Sequence, residues 1–197
     1  ICHDVSYEMK ALRQVHYITA LNNNNNFYCD VLPYCEMPKI KLDIPVYIIQ
    51  GELTMFRRNY KLLKIILSGK YEYPYKFVII GKGPPCKELM ELYNTYKDKI
   101  ELKCDLSFLE YHREFLSCHC LFPCISKEEN NMYYSTKLTS SISYARGYNL
   151  PILLDSDLQS IYNCKKAYVY KNNDKLPKYF NKSLEQFYKP SIFTCFK

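Results

Sequence analysis

The fold is decided by a continuous apolar run that ends in a glycine, VYIIQG at residues 46–51. A second run of this kind, FVIIG, follows at residues 77–81, and residues 58–67 between them carry apolar side chains at helical spacing. A strand that is apolar throughout, rather than alternating, is typical of a sheet buried on both faces. The pattern therefore predicts two parallel strands joined by a crossover helix.

The same alternation continues along the chain. Further helices are predicted over residues 85–96, 108–118, 137–148, 157–162 and 184–188, and further strands over residues 100–102, 120–124, 151–154 and 167–170. This order predicts an α/β fold, a Rossmann-like doubly wound parallel sheet. Right-handed crossovers place the carboxyl ends of all strands at one edge, where ligands of such sheets bind.

The first 43 residues differ from the remainder. Short strands are predicted at Val15–Leu21 and Phe27–Leu32, on either side of five consecutive asparagines, and three prolines then mark a linker. The chain also begins without Met. We expect residues 1–43 to be the N-terminal fragment of a second domain, and residues 44–197 to form the Rossmann-like domain.

The composition of the chain indicates which classes of binding partner and which cellular setting to expect. The net charge of +7 suits an anionic ligand or a peripheral contact with an anionic membrane. No run of five or six like charges is present, and Tyr168 and Tyr170 lie in a predicted core strand, so nucleic acid is not expected. The ten cysteines fit a reducing, cytoplasmic setting better than a disulfide framework. No stretch is long and apolar enough to span a bilayer, and no signal peptide is visible.

Two glycine-containing loops follow the strands predicted from the apolar runs at residues 46–51 and 77–81. In the first, Gly51 allows a ligand to approach the backbone, and Thr54 precedes Arg57 and Arg58, which are predicted to open the next helix and to bind a phosphate there. A surface arginine pair with a distant carboxylate is the alternative. The second loop is Gly81-Lys82-Gly83, which matches neither dinucleotide nor Walker fingerprints and is also consistent with a simple turn.

A third loop precedes the helix predicted at residues 137–148. Hydroxyl residues and one lysine crowd its start, more than helix capping requires, so a diphosphate cradle is favoured. The candidates are Ser135, Thr136, Lys137, Leu138, Thr139, Ser140 and Ser141.

A zinc site and a cysteine-protease site are both disfavoured by the sequence. The sequence Cys118-His119-Cys120 with Cys124 lacks the paired spacing of a structural zinc site, so a buried strand edge is favoured and no metal is predicted. In a strand, Cys118 and Cys120 would share one face. The sequence also lacks the strained turn that would present the nucleophile of a cysteine protease.

Taken in order, these residues resemble the C-terminal, sugar-nucleotide-binding domain of GT-B glycosyltransferases of the glycosyl transferases group 1 type, over about residues 44–190. The matching segments are Val46–Gly51 with Arg57, Phe77–Pro85, Ile100–Cys104, Phe108–Ser117, Cys120–Ile125 and Ala145–Leu153, the last similar to "A.G.P.(V/I)". The resemblance implies a metal-independent transferase that moves a sugar from a UDP- or GDP-type donor to a glycan, lipid or protein acceptor.

The resemblance also assigns roles. It implies that Arg57 and Lys137 stabilise the leaving diphosphate. Many members carry Arg where this chain has Glu52, and an acidic pair whose second Glu holds the donor ribose; here Ser140 and Ser141 stand nearest to that second Glu.

Three questions stay open at this point. His3, Asp4 and His16 are candidate cleft residues if the first 43 residues close against the site. The alternatives to a transferase are a non-catalytic module with the same fold and another nucleotide-binding protein. The oligomeric state is not indicated.

Overall fold

The computed structural model describes residues 17–18, 26–27, 40–54 and 57–190. Its main feature is a six-stranded sheet in which every neighbouring pair is parallel, in the order β5-β4-β3-β6-β7-β8. The strands are β3 (Val46–Glu52), β4 (Lys76–Lys82), β5 (Ile100–Cys104), β6 (Cys120–Leu121), β7 (Ile152–Asp155) and β8 (Ala167–Tyr170). A separate parallel pair joins β1 (Tyr17–Ile18) to β2 (Asn26–Phe27). The predicted doubly wound parallel sheet is confirmed.

Helices follow the strands in the expected alternation. They are α1 (Tyr60–Leu67), α2 (Lys87–Thr95), α3 (Phe108–Glu114), α4 (Lys127–Asn130), α5 (Met132–Ser135), α6 (Ser140–Gly147), α7 (Ser156–Tyr162) and α8 (Leu176–Tyr188), with 3-10 turns at Phe115–Ser117 and Asn173–Lys175. Local polar groups set several starts: the Asn59 side chain accepts from Lys61 N, and Ser107 and Glu110 form a capping box for α3. None of the described helices is long and apolar enough to cross a membrane.

The sheet is buried on both faces, as its apolar strands predict. Tyr47 and Ile49 of β3 point into a cluster shared with α1, α2 and α8. Ile48, between them, points into a second cluster shared with α3, α6 and α7. Successive residues of a strand point to opposite faces of the sheet, so each strand contributes to two separate hydrophobic layers. Burial on both faces, rather than a membrane, explains the apolar runs.

Two of the predicted boundaries are wrong by three residues. The strand predicted to reach residue 124 ends at Leu121, because Pro123 has no N–H to donate and Cys124 adopts a left-handed φ of 55°. The helix predicted from residue 137 begins at Ser140, after the one-turn helices α4 and α5, which were not predicted. Residues 184–188 lie in the closing helix, as predicted, and that helix begins at Leu176, with Pro177 in its first turn.

Candidate functional site

A cavity of about 690 Å³ opens at the carboxyl ends of β3 and β4. Strand β3 pairs with both β4 and β6, so the order of the strands reverses beside this cavity, where doubly wound sheets bind their ligands. Its lining comes from two glycine turns, α3 and α6. The lining residues are Gly51, Glu52, Gly81, Lys82, Gly83, Leu106, Phe108, Tyr111, His112 and Tyr144.

The floor of the cavity is backbone. Gly51 has φ of 135° and Gly83 has φ of 81°, values that side chains rarely tolerate. A Cβ on Gly81 would collide with the carbonyl oxygen of Gly51, since β3 and β4 are in register there. The three predicted glycines therefore lie together, and the lack of side chains at Gly51 and Gly83 lets a bound molecule approach the main chain, although the Gly83 N–H itself donates to Asp105 Oδ1 at 3.2 Å.

Arg58 departs from the prediction that it binds phosphate. The residue is 5% exposed, and its Nε donates to the carbonyl oxygen of Gln50 at 3.0 Å. Its Nη2 donates to that same oxygen, and its Nη1 donates to the carbonyl oxygen of Arg57. The side chain is packed beneath Gly51, where it holds the turn between β3 and α1 instead of facing the cavity.

Arg57, by contrast, is not itself a lining residue but contacts Glu52 of the lining. Its Nε donates to Glu52 Oε2 at 3.1 Å, and its Nη1 lies 3.7 Å from Met132 Sδ. A hydrogen bond with Tyr133, and less so the one with Glu52, raises the pKa of the Arg57 guanidinium. Neither arginine is inside the following helix, which begins at Tyr60, and Arg57 N donates to the carbonyl oxygen of Thr54 at 3.3 Å within the preceding turn.

Lys137 belongs to the segment that Arg57 contacts. Its backbone N donates to the carbonyl oxygen of Met132 at 2.7 Å, at the end of α5. Arg57 and Lys137 therefore meet the same residue, Met132, the first through its side chain and the second through its backbone. The first and third loops are brought together at one edge, although 79 residues of sequence separate the two cations.

The predicted hydroxyl cradle is only partly accessible. Thr139 and Ser141 are 1% and 0% exposed, and Leu138 packs against the second core cluster, so the structure turns these three away from solvent. Ser135 is exposed and donates to the carbonyl oxygen of Asn131 at 3.0 Å, while Thr136 is half-buried. Ser140 is exposed at the first position of α6.

Gln50 is a buried hub that sequence reasoning missed. Its Nε2 donates to Ser140 Oγ at 3.0 Å and to Ser141 Oγ at 2.9 Å, while Tyr111 donates to its Oε1. This side chain joins the end of β3 to α3 and to the start of α6. The available signal was one polar residue at the end of an otherwise apolar run, VYIIQ.

An aromatic wall forms the side of the cavity. The Phe108 ring is 63% exposed and lies 4.4 Å from the His112 ring, measured between centroids. His112 shares a hydrogen bond between its Nδ1 and the hydroxyl of Tyr148, and burial lowers the pKa of its imidazole. Tyr144 of α6 stacks on Phe115 at 4.6 Å. The spacing of residues 108, 111, 112 and 115 on one helix face was the signal that could have identified this wall.

The described part of the chain contains no cluster of metal-ligating side chains. Within it, no group of three His, Cys, Asp or Glu side chains could hold an ion. The described cysteines, Cys86, Cys104, Cys118, Cys120, Cys124 and Cys164, are free thiols. Cys118 and Cys120 pack into different core clusters, contrary to the expectation that they share a face, because β6 begins only at Cys120. His3, Asp4 and His16 lie outside the described residues.

Comparison with known proteins gives the fold an independent reference. No protein-family model matches the sequence, and no curated protein matches it. The structure resembles AviGT4, a glycosyltransferase involved in avilamycin A biosynthesis, with a TM-score of 0.58 and 12% identity over 84% of this chain and 49% of that one. It also resembles WaaB, a lipopolysaccharide outer core galactosyltransferase, with a TM-score of 0.53 and 15% identity over 80% of this chain and 45% of that one.

The chain thus spans about half the length of the solved enzymes that it matches. At 12% and 15% identity the similarity shows the fold alone. The chain has the Rossmann-like α/β fold of one half of a GT-B glycosyltransferase.

Proposed function

We propose that this chain is the donor-binding half of a glycosyltransferase and that its cavity holds a nucleoside-diphosphate sugar. The observation that carries the proposal is the cavity at the carboxyl edge, with a glycine backbone floor, an aromatic wall and Lys82 in its lining. Its volume of about 690 Å³ lies within the range of small-molecule sites, roughly 300–1,000 Å³.

Each part of the cavity suits one part of such a donor. A planar base gains from stacking beside exposed aromatic rings such as Phe108. A diphosphate gains from close backbone approach at Gly51 and Gly83 and from nearby cations, and Lys82 is an exposed lysine within the lining. Arg57 and Lys137, which both meet Met132, supply the charge for the second phosphate.

The proposed reaction is transfer of the sugar to an acceptor hydroxyl. The acceptor oxygen forms a bond to the anomeric carbon while the bond from that carbon to the β-phosphate oxygen breaks. The hydroxyl proton is released, and the nucleoside diphosphate leaves with increased negative charge. Arg57 and Lys137 stabilise that charge, so no metal ion is needed. The acceptor is a glycan, lipid or protein hydroxyl.

The proposal is tested by titrating the full chain with UDP and with GDP in a calorimeter, without and then with a chelator. We expect one of the two to bind, and the double variant Arg57→Ala/Lys137→Ala to weaken binding at least tenfold. The control is Lys97→Ala, an exposed lysine between α2 and β5, at the opposite edge of the sheet.

The outcomes separate the three candidate functions. If neither nucleotide binds, the enzyme proposal is lost and the non-catalytic module takes its place. If a nucleotide binds but a protein containing this chain never releases UDP or GDP from a sugar nucleotide, the chain is a nucleotide-binding domain without transferase activity. A loss of binding on adding the chelator would contradict the metal-independent reaction.

A further inference from the structure

A second cavity, of about 390 Å³, lies at the opposite edge of the sheet. It is formed where the chain leaves α6 to enter β7 and leaves α7 to enter β8. Its lining residues are Ala145, Arg146, Asn149, Leu150, Ile152, Asn163, Cys164, Lys165 and Lys166. Because the strands are parallel, the amino ends of β7 and β8 face away from the donor cavity, so this is a separate place on the molecule.

The lining of this amino-edge cavity is positively charged. It contains Arg146, Lys165 and Lys166, and none of its described lining residues is acidic. Arg146 donates through Nη2 to the carbonyl oxygen of Tyr162, the last residue of α7. A single cation is enough to complement a helix C-terminus, and this contact accounts for Arg146. Lys165, which is exposed, and Lys166, which is half-buried, add two further charges that the helix end does not require.

In the two turns that shape the cavity, backbone N–H groups are hydrogen-bonded within the protein, which leaves recognition to the side chains. Asn149 and Asn163 both adopt left-handed φ angles, of 53° and 47°, the first lying two residues after the end of α6 and the second directly after α7. The backbone N–H groups there are occupied: Asn163 N donates to Gln159 O at 2.8 Å, and Cys164 N donates to Gln159 Oε1 at 3.1 Å. Recognition in this cavity therefore depends on lysine, arginine and amide side chains rather than on the backbone.

We propose that the amino-edge cavity binds a phosphate-bearing anion. Lys165 and Lys166 add positive charge to the cavity that no acidic residue of its lining balances, so an anion that enters is attracted by both. A phosphate monoester carries about −1.5 to −2 charges near neutral pH and three acceptor oxygens, which suits lysines and an arginine together with asparagine amides. Such a group is present both on a soluble phosphorylated compound and on an anionic lipid headgroup, and the test separates these sources.

The test follows the backbone amide signals of residues 163–166 by NMR while inorganic phosphate is added to the full chain. Saturable shifts are expected, with a dissociation constant raised at least tenfold by Lys165→Gln/Lys166→Gln. The charge-matched control is Lys178→Gln/Lys182→Gln, two exposed lysines of α8. The Arg57→Ala/Lys137→Ala variant must retain the shifts, which keeps this site distinct from the proposed donor site.

A second arm uses phosphatidylcholine vesicles with and without phosphatidic acid. Sedimentation with the phosphatidic acid vesicles that requires Lys165 and Lys166 assigns the site to a lipid headgroup. Binding of free phosphate without vesicle binding assigns it to soluble phosphorylated compounds. The proposal is overturned if neither probe binds, or if the α8 control loses binding as much as the cavity variant. Should the double variant unfold, Lys165→Gln alone serves, because that residue is exposed.

Discussion

At the residue scale, Gly51 of the donor cavity is constrained in two ways. Its φ of 135° is unfavourable for any residue with a Cβ, and a Cβ there would also meet the Arg58 guanidinium. We expect Gly51→Ala to lower the free energy of unfolding by about 3 kcal/mol, from backbone strain and overpacking together. Urea denaturation measures the change.

The matched control for that substitution is Gly83→Ala. Gly83 also has a positive φ, of 81°, but a Cβ there would have no atom within 4 Å. Only the backbone strain remains, so a loss of about 1 kcal/mol is expected. Equal losses at the two glycines would show that the Arg58 contact beneath Gly51 has no energetic consequence.

Glu52 is the second residue whose effect is predictable. Its carboxylate accepts from Arg57 at 3.1 Å and lines the donor cavity, where it competes with a phosphate for that guanidinium. We expect Glu52→Gln to tighten UDP or GDP binding roughly twofold to fivefold, the range set by an exposed ion pair of up to ~1 kcal/mol. Calorimetry on the full chain measures the affinity.

The control is Glu91→Gln, which removes a comparable exposed ion pair with Lys87 on α2. It should leave nucleotide affinity unchanged. Weaker binding by Glu52→Gln would contradict the competition and would mean that this carboxylate contacts the donor directly.

At the scale of elements, the contact between α3 and α6 makes the cavity wall sensitive to pH. Burial lowers the pKa of His112 from its usual 6.5, and the ring is 6% exposed beside Tyr148. Below pH 6.5 the unfolded chain therefore takes up a proton that the folded chain still refuses, so stability is fully present above pH 6.5 and falls as the pH drops. Denaturation midpoints at pH 7, 6 and 5 follow this loss.

The variant that isolates the effect is His112→Phe. It keeps an aromatic ring in the wall and removes the titrating group, so its stability should fall less steeply than that of the wild type between pH 6.5 and 5. A constant offset from the lost Tyr148 hydrogen bond is expected at every pH and does not affect the comparison. Parallel curves for the two proteins would refute the assignment to His112.

At the scale of the whole molecule, α8 packs on one face of the sheet, and its Phe180 ring lies among several aromatic side chains. Phe180 is fully buried and lies within 6 Å, between ring centroids, of Tyr47, Tyr71, Tyr75 and Phe77. We expect Phe180→Ala to cost about 3–5 kcal/mol, the usual effect of emptying a large core site. Urea denaturation of the full chain provides the value.

Phe108→Ala is the matched control, because the same residue type is 63% exposed on the cavity wall. Its stability should stay within about 0.5 kcal/mol of the wild type. Nucleotide affinity should fall instead, by roughly fivefold for a lost aromatic contact of ~1 kcal/mol. If Phe108→Ala destabilised the chain as much as Phe180→Ala, the division between core and cavity wall would be wrong.

The sequence predicted where the candidate site lies in the fold, but not which residues form it. The carboxyl edge, the three glycines and the proximity of Arg57 to the loop of Lys137 follow from strand–helix alternation, since parallel strands end together. Arg57 and Arg58 are adjacent and chemically identical, yet one pairs with Glu52 of the cavity lining and the other is buried under Gly51. Gln50, His112 and Tyr144 were missed, because what they contact is far away in the sequence.

The sequence by itself determined the layered α/β fold, because the period of apolar residues in each strand and helix records which faces are buried, and burial is the dominant favourable term in folding. The tertiary structure alone decided which polar groups remain free for a ligand. Hydrogen bonds such as those of Gln50 to Ser140 and Ser141 join residues 90 positions apart, and short-range periodicity carries no information about such pairs. The grouping of Arg146 with Lys165 and Lys166 arises in the same way, from two helix ends that meet only once the sheet has formed.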